Sequence, residues 1–214
     1  MSRIAIVDYG AGNLLSVERA FRHLDANPVL ASTPDAIAKA GRLVLPGVGA
    51  FGSCMASLNS CGLTDSVKEF AASGRPLLGI CVGLQMLFDE SEEFGLHAGL
   101  GIIPGRVTRI PSLGADGRPH KVPHIGWNAV TPAADAAWHG TPLSGIQVGI
   151  SMYFVHSYVG EPTHRRHRLA ECDYDGMPLL AVAKMDNVVG CQFHPEKSGE
   201  AGLTLLAAFL GDAA

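Results

Sequence analysis

No stretch of about 18 apolar residues occurs in the 214-residue chain, which excludes a membrane-spanning helix. CxxC is absent too, and the five cysteines, at 54, 61, 81, 172 and 191, are odd in number and scattered. Neither a disulfide framework nor a zinc site is expected from them. They fit a reducing, cytoplasmic setting, and four of the five read as small apolar residues. His120, His124 and His139 lack metal-ligand spacing, so no metal and no cofactor are expected. A net charge of −4 gives no ground for a nucleic-acid or anionic-membrane partner. The basic run His164-Arg165-Arg166-His167-Arg168 reads as a solvated loop. Repeats and low-complexity segments are missing. Met1-Ser2-Arg3 leads at once into an apolar strand, so no signal peptide is expected. The length suits one core and one domain, residues 1–214.

What is present is an alternation. Ile4-Ala5-Ile6-Val7 is a short apolar run of the buried parallel-strand kind. A helix is expected over 14–24, with Val17, Ala20, Phe21 and Leu24 on one stripe. Pro28-Val29-Leu30 reads as a strand. Thr33 and Pro34 read as the N-cap and first residue of a helix. Leu43-Val44-Leu45 is a third strand, followed by Pro46-Gly47-Val48-Gly49 and a helical region broken at Gly62. Strand and helix so alternating predict a doubly wound α/β fold, a mostly parallel sheet with helices on both faces. After residue 100 the chain reads as strands at 106–110, 125–130, 148–159, 168–172, 179–183 and 188–193. Asp175-Gly176 and Asp186-Asn187 supply hairpin turns. The second half therefore adds antiparallel strands. A closing helix over 198–210 is expected to bury Leu203, Leu206, Ala207 and Leu210.

The chemistry centres on Gly79-Ile80-Cys81-Val82-Gly83. It lies between the apolar run Leu77-Leu78 and a helical segment at 84–88. Strand, tight turn and helix with a nucleophile between glycines form a nucleophile elbow, with cysteine at the apex. A helix N-terminus favours the thiolate. A base is offered by His194 in Gln192-Phe193-His194-Pro195-Glu196. In an extended segment His194 and Glu196 point to one side, so the carboxylate can orient the imidazole. The Val82 amide and that of Val48, in the Pro46-Gly47-Val48-Gly49 loop, are the expected oxyanion donors. A cysteine peptidase, a hydrolase of γ-glutamyl bonds and a non-catalytic binding subunit remain open at this point.

GICVGLQ at 79–85, PHIGWN at 123–128, YFVHSY at 153–158 and CQFHPEKSG at 191–199 resemble the class I glutamine amidotransferases. VDYGAGNL at 7–14 narrows the resemblance to the glutaminase subunits of imidazole glycerol phosphate synthases. Val82 and Leu84 stand where leucine and methionine are more usual in that family. The resemblance implies catalysis by Cys81, His194 and Glu196 on L-glutamine, releasing ammonia. It places Gly49, Gln85, His156 and Ser157 around the substrate. It also implies a heterodimer with a (βα)8-barrel cyclase subunit through Asn13, Trp127, Tyr153 and Lys197. Because uncoupled hydrolysis would waste glutamine and a Gly-Val peptide flips cheaply, the Pro46-Gly47-Val48-Gly49 loop is expected to turn its amide into place when partner and ligand bind. A glutaminase serving another synthase would share the same triad.

Overall fold

The computed structural model describes residues 4–211. Residues 1–3, on which the reading of the N-terminus rests, lie outside them. The first half runs β1 (Ile4–Val7), α1 (Leu14–His23), β2 (Val29–Ala31), α2 (Pro34–Ala38), β3 (Arg42–Gly47), α3 (Phe51–Ser60), α4 (Thr64–Ala72), β4 (Leu77–Cys81) and α5 (Val82–Met86). The two-residue strands β5 (Glu90–Ser91) and β6 (His97–Ala98) follow. Then come β7 (Gly105–Arg109), β8 (His124–Pro132), β9 (Ser151–His156), β10 (Tyr158–Pro162), β11 (Arg168–Tyr174), β12 (Met177–Met185), β13 (Val188–Cys191) and α6 (Gly199–Leu210).

A nine-stranded sheet has the order β2-β1-β3-β4-β13-β12-β11-β8-β9. Its first five strands pair in parallel, and the remainder pair antiparallel. A smaller sheet has the order β10-β7-β5-β6. Strands β1, β3, β4 and β13 are buried along their whole length, as parallel strands covered on both faces require. The crossovers β1 to β2 and β2 to β3 run in opposite directions along the sheet, so α1 and α2 lie on opposite faces. Helix α6 joins α1, and α4 joins α2. The Thr33 side chain caps α2 by accepting from Ala36 N, with Pro34 in the first turn.

Several expectations need correction. The strand expected over 148–159 is two strands in two sheets: Val148 and Gly149 form a turn, and the chain bends at Ser157. The elbow helix is only five residues long. It stops because the loop after β6 takes its C-terminal carbonyls: Leu100 N donates to Met86 O at 2.8 Å and Ile102 N to Leu87 O at 2.9 Å. Helix α6 buries Gly202, Leu205, Leu206 and Phe209, whereas Ala207 is exposed. Its roll is set at Gly202, where a Cβ would fall 1.9 Å from the Pro195 carbonyl oxygen. Cys61 is exposed, unlike the other three cysteines read as apolar filling. In the basic run His167 is buried, and Arg168 pairs with Glu171 at 2.7 Å.

Candidate active site

Cys81 ends β4 with φ 55° and ψ −112°, a conformation that costs a residue with a Cβ about 1–3 kcal/mol. The neighbouring backbone enforces it. A Cβ on Gly79 would fall 2.9 Å from the Gly83 carbonyl, and one on Gly83 would fall 1.9 Å from the Leu45 carbonyl oxygen. Only glycine at both positions lets α5 turn back over the ends of β3 and β4. Gly47 pairs with Cys81 in the ladder, which puts the Gly47–Ala50 loop beside the thiol. Val82 begins α5, with its backbone amide at the helix's free N-terminal end.

His194 follows three residues after the end of the neighbouring parallel strand, β13. Its Nδ1 donates to Glu196 Oε1 at 2.8 Å, and it lines the same cavity as Cys81, whose sulfur acts on its charge. The residues after it do not continue as a strand. Pro195–Lys197 is a 3-10 turn, and this turn, not an extended run, brings the carboxylate back to the ring. Backbone bonds fix the segment: His194 N donates to Tyr153 O at 2.9 Å, and Ser198 Oγ accepts from Tyr153 N and donates to His194 O at 2.6 Å. Burial pushes the His194 pKa down, but the hydrogen bonds and charge attraction to Cys81 and Glu196 outweigh it and raise the pKa to about 9. His194 is therefore an imidazolium at neutral pH, able to give a proton to a leaving amine.

A cavity of about 430 Å³ opens over this pair. It gathers Val48, Gly49, Cys81, Val82, Gln85, His156, Ser157 and His194 of the expected site residues, with Asn13 and Lys197 at the same wall. Glu196 stands behind His194, its side chain 1% exposed. Trp127 and Tyr153 are cross-strand partners outside the cavity, with ring centroids 5.9 Å apart. Gln85 Nε2 donates to Tyr158 O at 3.0 Å and to Gln192 Oε1 at 3.1 Å. Both its N–H groups are thus engaged, and the side-chain carbonyl is what it can offer a ligand.

Sequence reasoning missed four groups. Gln192 is fully buried and its Nε2 lies 3.8 Å from the Cys81 sulfur. Glu93 lines the cavity, but nothing in the acidic run 89–93 distinguishes it. Ser198 carried no signal. His124 Nδ1 lies 2.9 Å from His156 Nε2, and His156 Nδ1 donates to the Tyr158 carbonyl at 2.9 Å. Burial pushes His156 down to about 3 and also lowers His124. Among the described residues, no three side chains of the metal-ligating kind cluster together, and no helix is long and apolar enough to cross a membrane.

The class I glutamine amidotransferase family model matches residues 5–213. The chain is also 51% identical, over 98% of its length and 99% of the relative's, to the imidazole glycerol phosphate synthase subunit HisH 1 of Legionella pneumophila strain Lens. The chain belongs to the class I glutamine amidotransferases, in their HisH branch. The HisH subunit of Geobacillus thermodenitrificans is 43% identical over 99% of this amidotransferase and 96% of the relative. The fold recurs in solved structures at lower identity. PurLQS from Thermotoga maritima superposes with a TM-score of 0.70 at 17% identity, covering 98% of each chain. A glutamine amidotransferase crystal structure gives 0.69 at 18%, covering 96% of this chain and 97% of the other.

Proposed function

We propose that this amidotransferase is the glutaminase subunit of an imidazole glycerol phosphate synthase, acting as a single domain over residues 1–214. The observation that carries the chemistry is the strained Cys81 sharing a small pocket with His194, itself backed by Glu196. The Cys81 sulfur attacks the side-chain amide carbon of glutamine, and the C–N bond breaks as His194 protonates the leaving nitrogen, giving ammonia and a γ-glutamyl thioester. Water then attacks the thioester. His194 takes a proton from it and returns one to the departing sulfur, and glutamate leaves. The amides of Val82 and Val48 are the donors for the oxyanion. Glu93 suits the substrate's α-ammonium, Gln85 offers its carbonyl, and Gly49, His156 and Ser157 close the pocket. A cavity of this size suits a free amino acid, which argues against a peptidase.

Ammonia released at neutral pH becomes ammonium unless an acceptor site takes it directly, so the pocket needs a partner at its mouth. Asn13 and Lys197 stand at the pocket and Trp127 is 56% exposed beside Tyr153, whose carbonyl holds His194 N–H. We assign this face to the (βα)8-barrel cyclase subunit in a heterodimer. Gly47, which has no Cβ to restrict its ψ, precedes the Val48 amide, so the Gly47–Val48 peptide can reorient when that partner binds its ligand. Glutamine hydrolysis, measured for the chain alone and with the barrel cyclase and its ribonucleotide ligand, tests the reading. Strong stimulation by the cyclase, abolished by Cys81→Ala without loss of binding, is expected. Stimulation by a different synthase instead would overturn the partner assignment.

A further inference from the structure

Helix α3 follows the oxyanion loop directly, and its N-cap is Ala50, which has no side chain to accept from the free amides of the first turn. The acceptor comes from 42 residues away: Glu93 Oε2 takes the Phe51 N–H at 2.6 Å. Glu93 sits in the connection between β5 and β6, which is docked on the start of α3. The His97 ring lies so close to Gly52 that a Cβ there would fall 2.8 Å from its Cε1. Two other buried groups hold the same loop. Tyr9 Oη donates to Pro46 O at 2.7 Å, and Cys54 Sγ donates to Val48 O at 3.4 Å. Of these three holds, only Glu93 also lines the catalytic cavity.

We propose that Glu93 is a positioning residue for the oxyanion loop, capping α3 from a distance while its carboxylate faces the substrate's α-ammonium, so that glutamine binding is coupled to the placement of Val48 and Gly49. The inference rests on the glutaminase reading. A carboxylate has two oxygens, and Phe51 uses one, so a cation at the other shifts a group that already grips the helix start. Position matters because small displacements at an oxyanion donor are costly to the rate.

The test is steady-state glutaminase kinetics of the complex with its synthase partner and ribonucleotide ligand. Glu93→Gln keeps an acceptor for Phe51 and loses the charge: KM for glutamine rises about tenfold while kcat stays within about twofold. Glu93→Ala loses both, so KM rises and kcat also falls about tenfold. Adding Ala50→Ser to Glu93→Ala gives the first turn of α3 a substitute cap at Gly52 or Ser53 N–H, and kcat recovers in part while KM stays high. A wild-type kcat in Glu93→Ala, or no recovery with Ala50→Ser, overturns the proposal. If Glu93→Ala does not fold, the near-isosteric Glu93→Gln decides: a tenfold loss of kcat at unchanged KM overturns it equally. Absence of activity in the wild-type complex would instead defeat the glutaminase reading itself.

Discussion

His194 and His156 line one pocket and are driven in opposite directions. His194, at about 9 against an ordinary 6.5, gains a proton-dependent contribution to stability. That contribution is complete below pH 6.5 and is lost as pH rises through about 9. We expect the unfolding midpoint to fall between pH 7 and 9, with the decline starting at lower pH in Glu196→Gln; an unchanged profile would contradict the pairing. His156, pushed by burial to about 3, refuses a proton that the unfolded chain accepts. It therefore favours the fold fully above pH 6.5 and progressively less toward pH 3, and thermal denaturation at pH 7, 5 and 4 should show that loss. Cys81, His194 and Glu196 were legible in the sequence because each is tied to a local motif: a glycine-flanked turn, and a proline between a histidine and a carboxylate. Glu93, Gln192 and His124 were not, because their partners lie 42, 111 and 32 residues away and no local pattern records such contacts.

Elements were read well where one periodicity governed them. The continuous apolar runs of β1, β3 and β4 were plain, as was the stripe Val17, Ala20, Phe21 of α1. Boundaries failed where tertiary contacts set them. Strand β9 and strand β10 share an unbroken strand-like sequence, yet Ser157 bends between sheets, with its carbonyl taken by Ile110 N at 2.9 Å. That bend brings His156, Ser157 and Tyr158 to the pocket together. The roll of α6 likewise follows from one close approach at Gly202, not from its leucines. The elbow makes the sharpest demand. Gly83→Ala would force a methyl into the Leu45 carbonyl oxygen, so we expect a loss of about 3 kcal/mol in chemical denaturation. Activity should fall as well, since β3 leads into the loop proposed to supply the Val48 oxyanion donor.

At the scale of the molecule the α/β class and the added antiparallel strands were foreseen, whereas the second sheet was not, since two of its four strands have only two residues each. The proposed partner face belongs to this scale too. Trp127→Ala should weaken cyclase binding by about 2 kcal/mol, read by calorimetric titration, and an unchanged Kd would move the interface elsewhere. The sheet order has one more consequence, for synthesis rather than catalysis. Strand β13 is inserted between β4 and β12, so Cys81 and His194 meet only when a segment more than a hundred residues downstream pairs in parallel with the elbow strand. During translation the thiol leaves the ribosome long before its base exists. In the proposed mechanism, any fragment ending before residue 188 would carry a nucleophile without an activator and leave glutamine untouched.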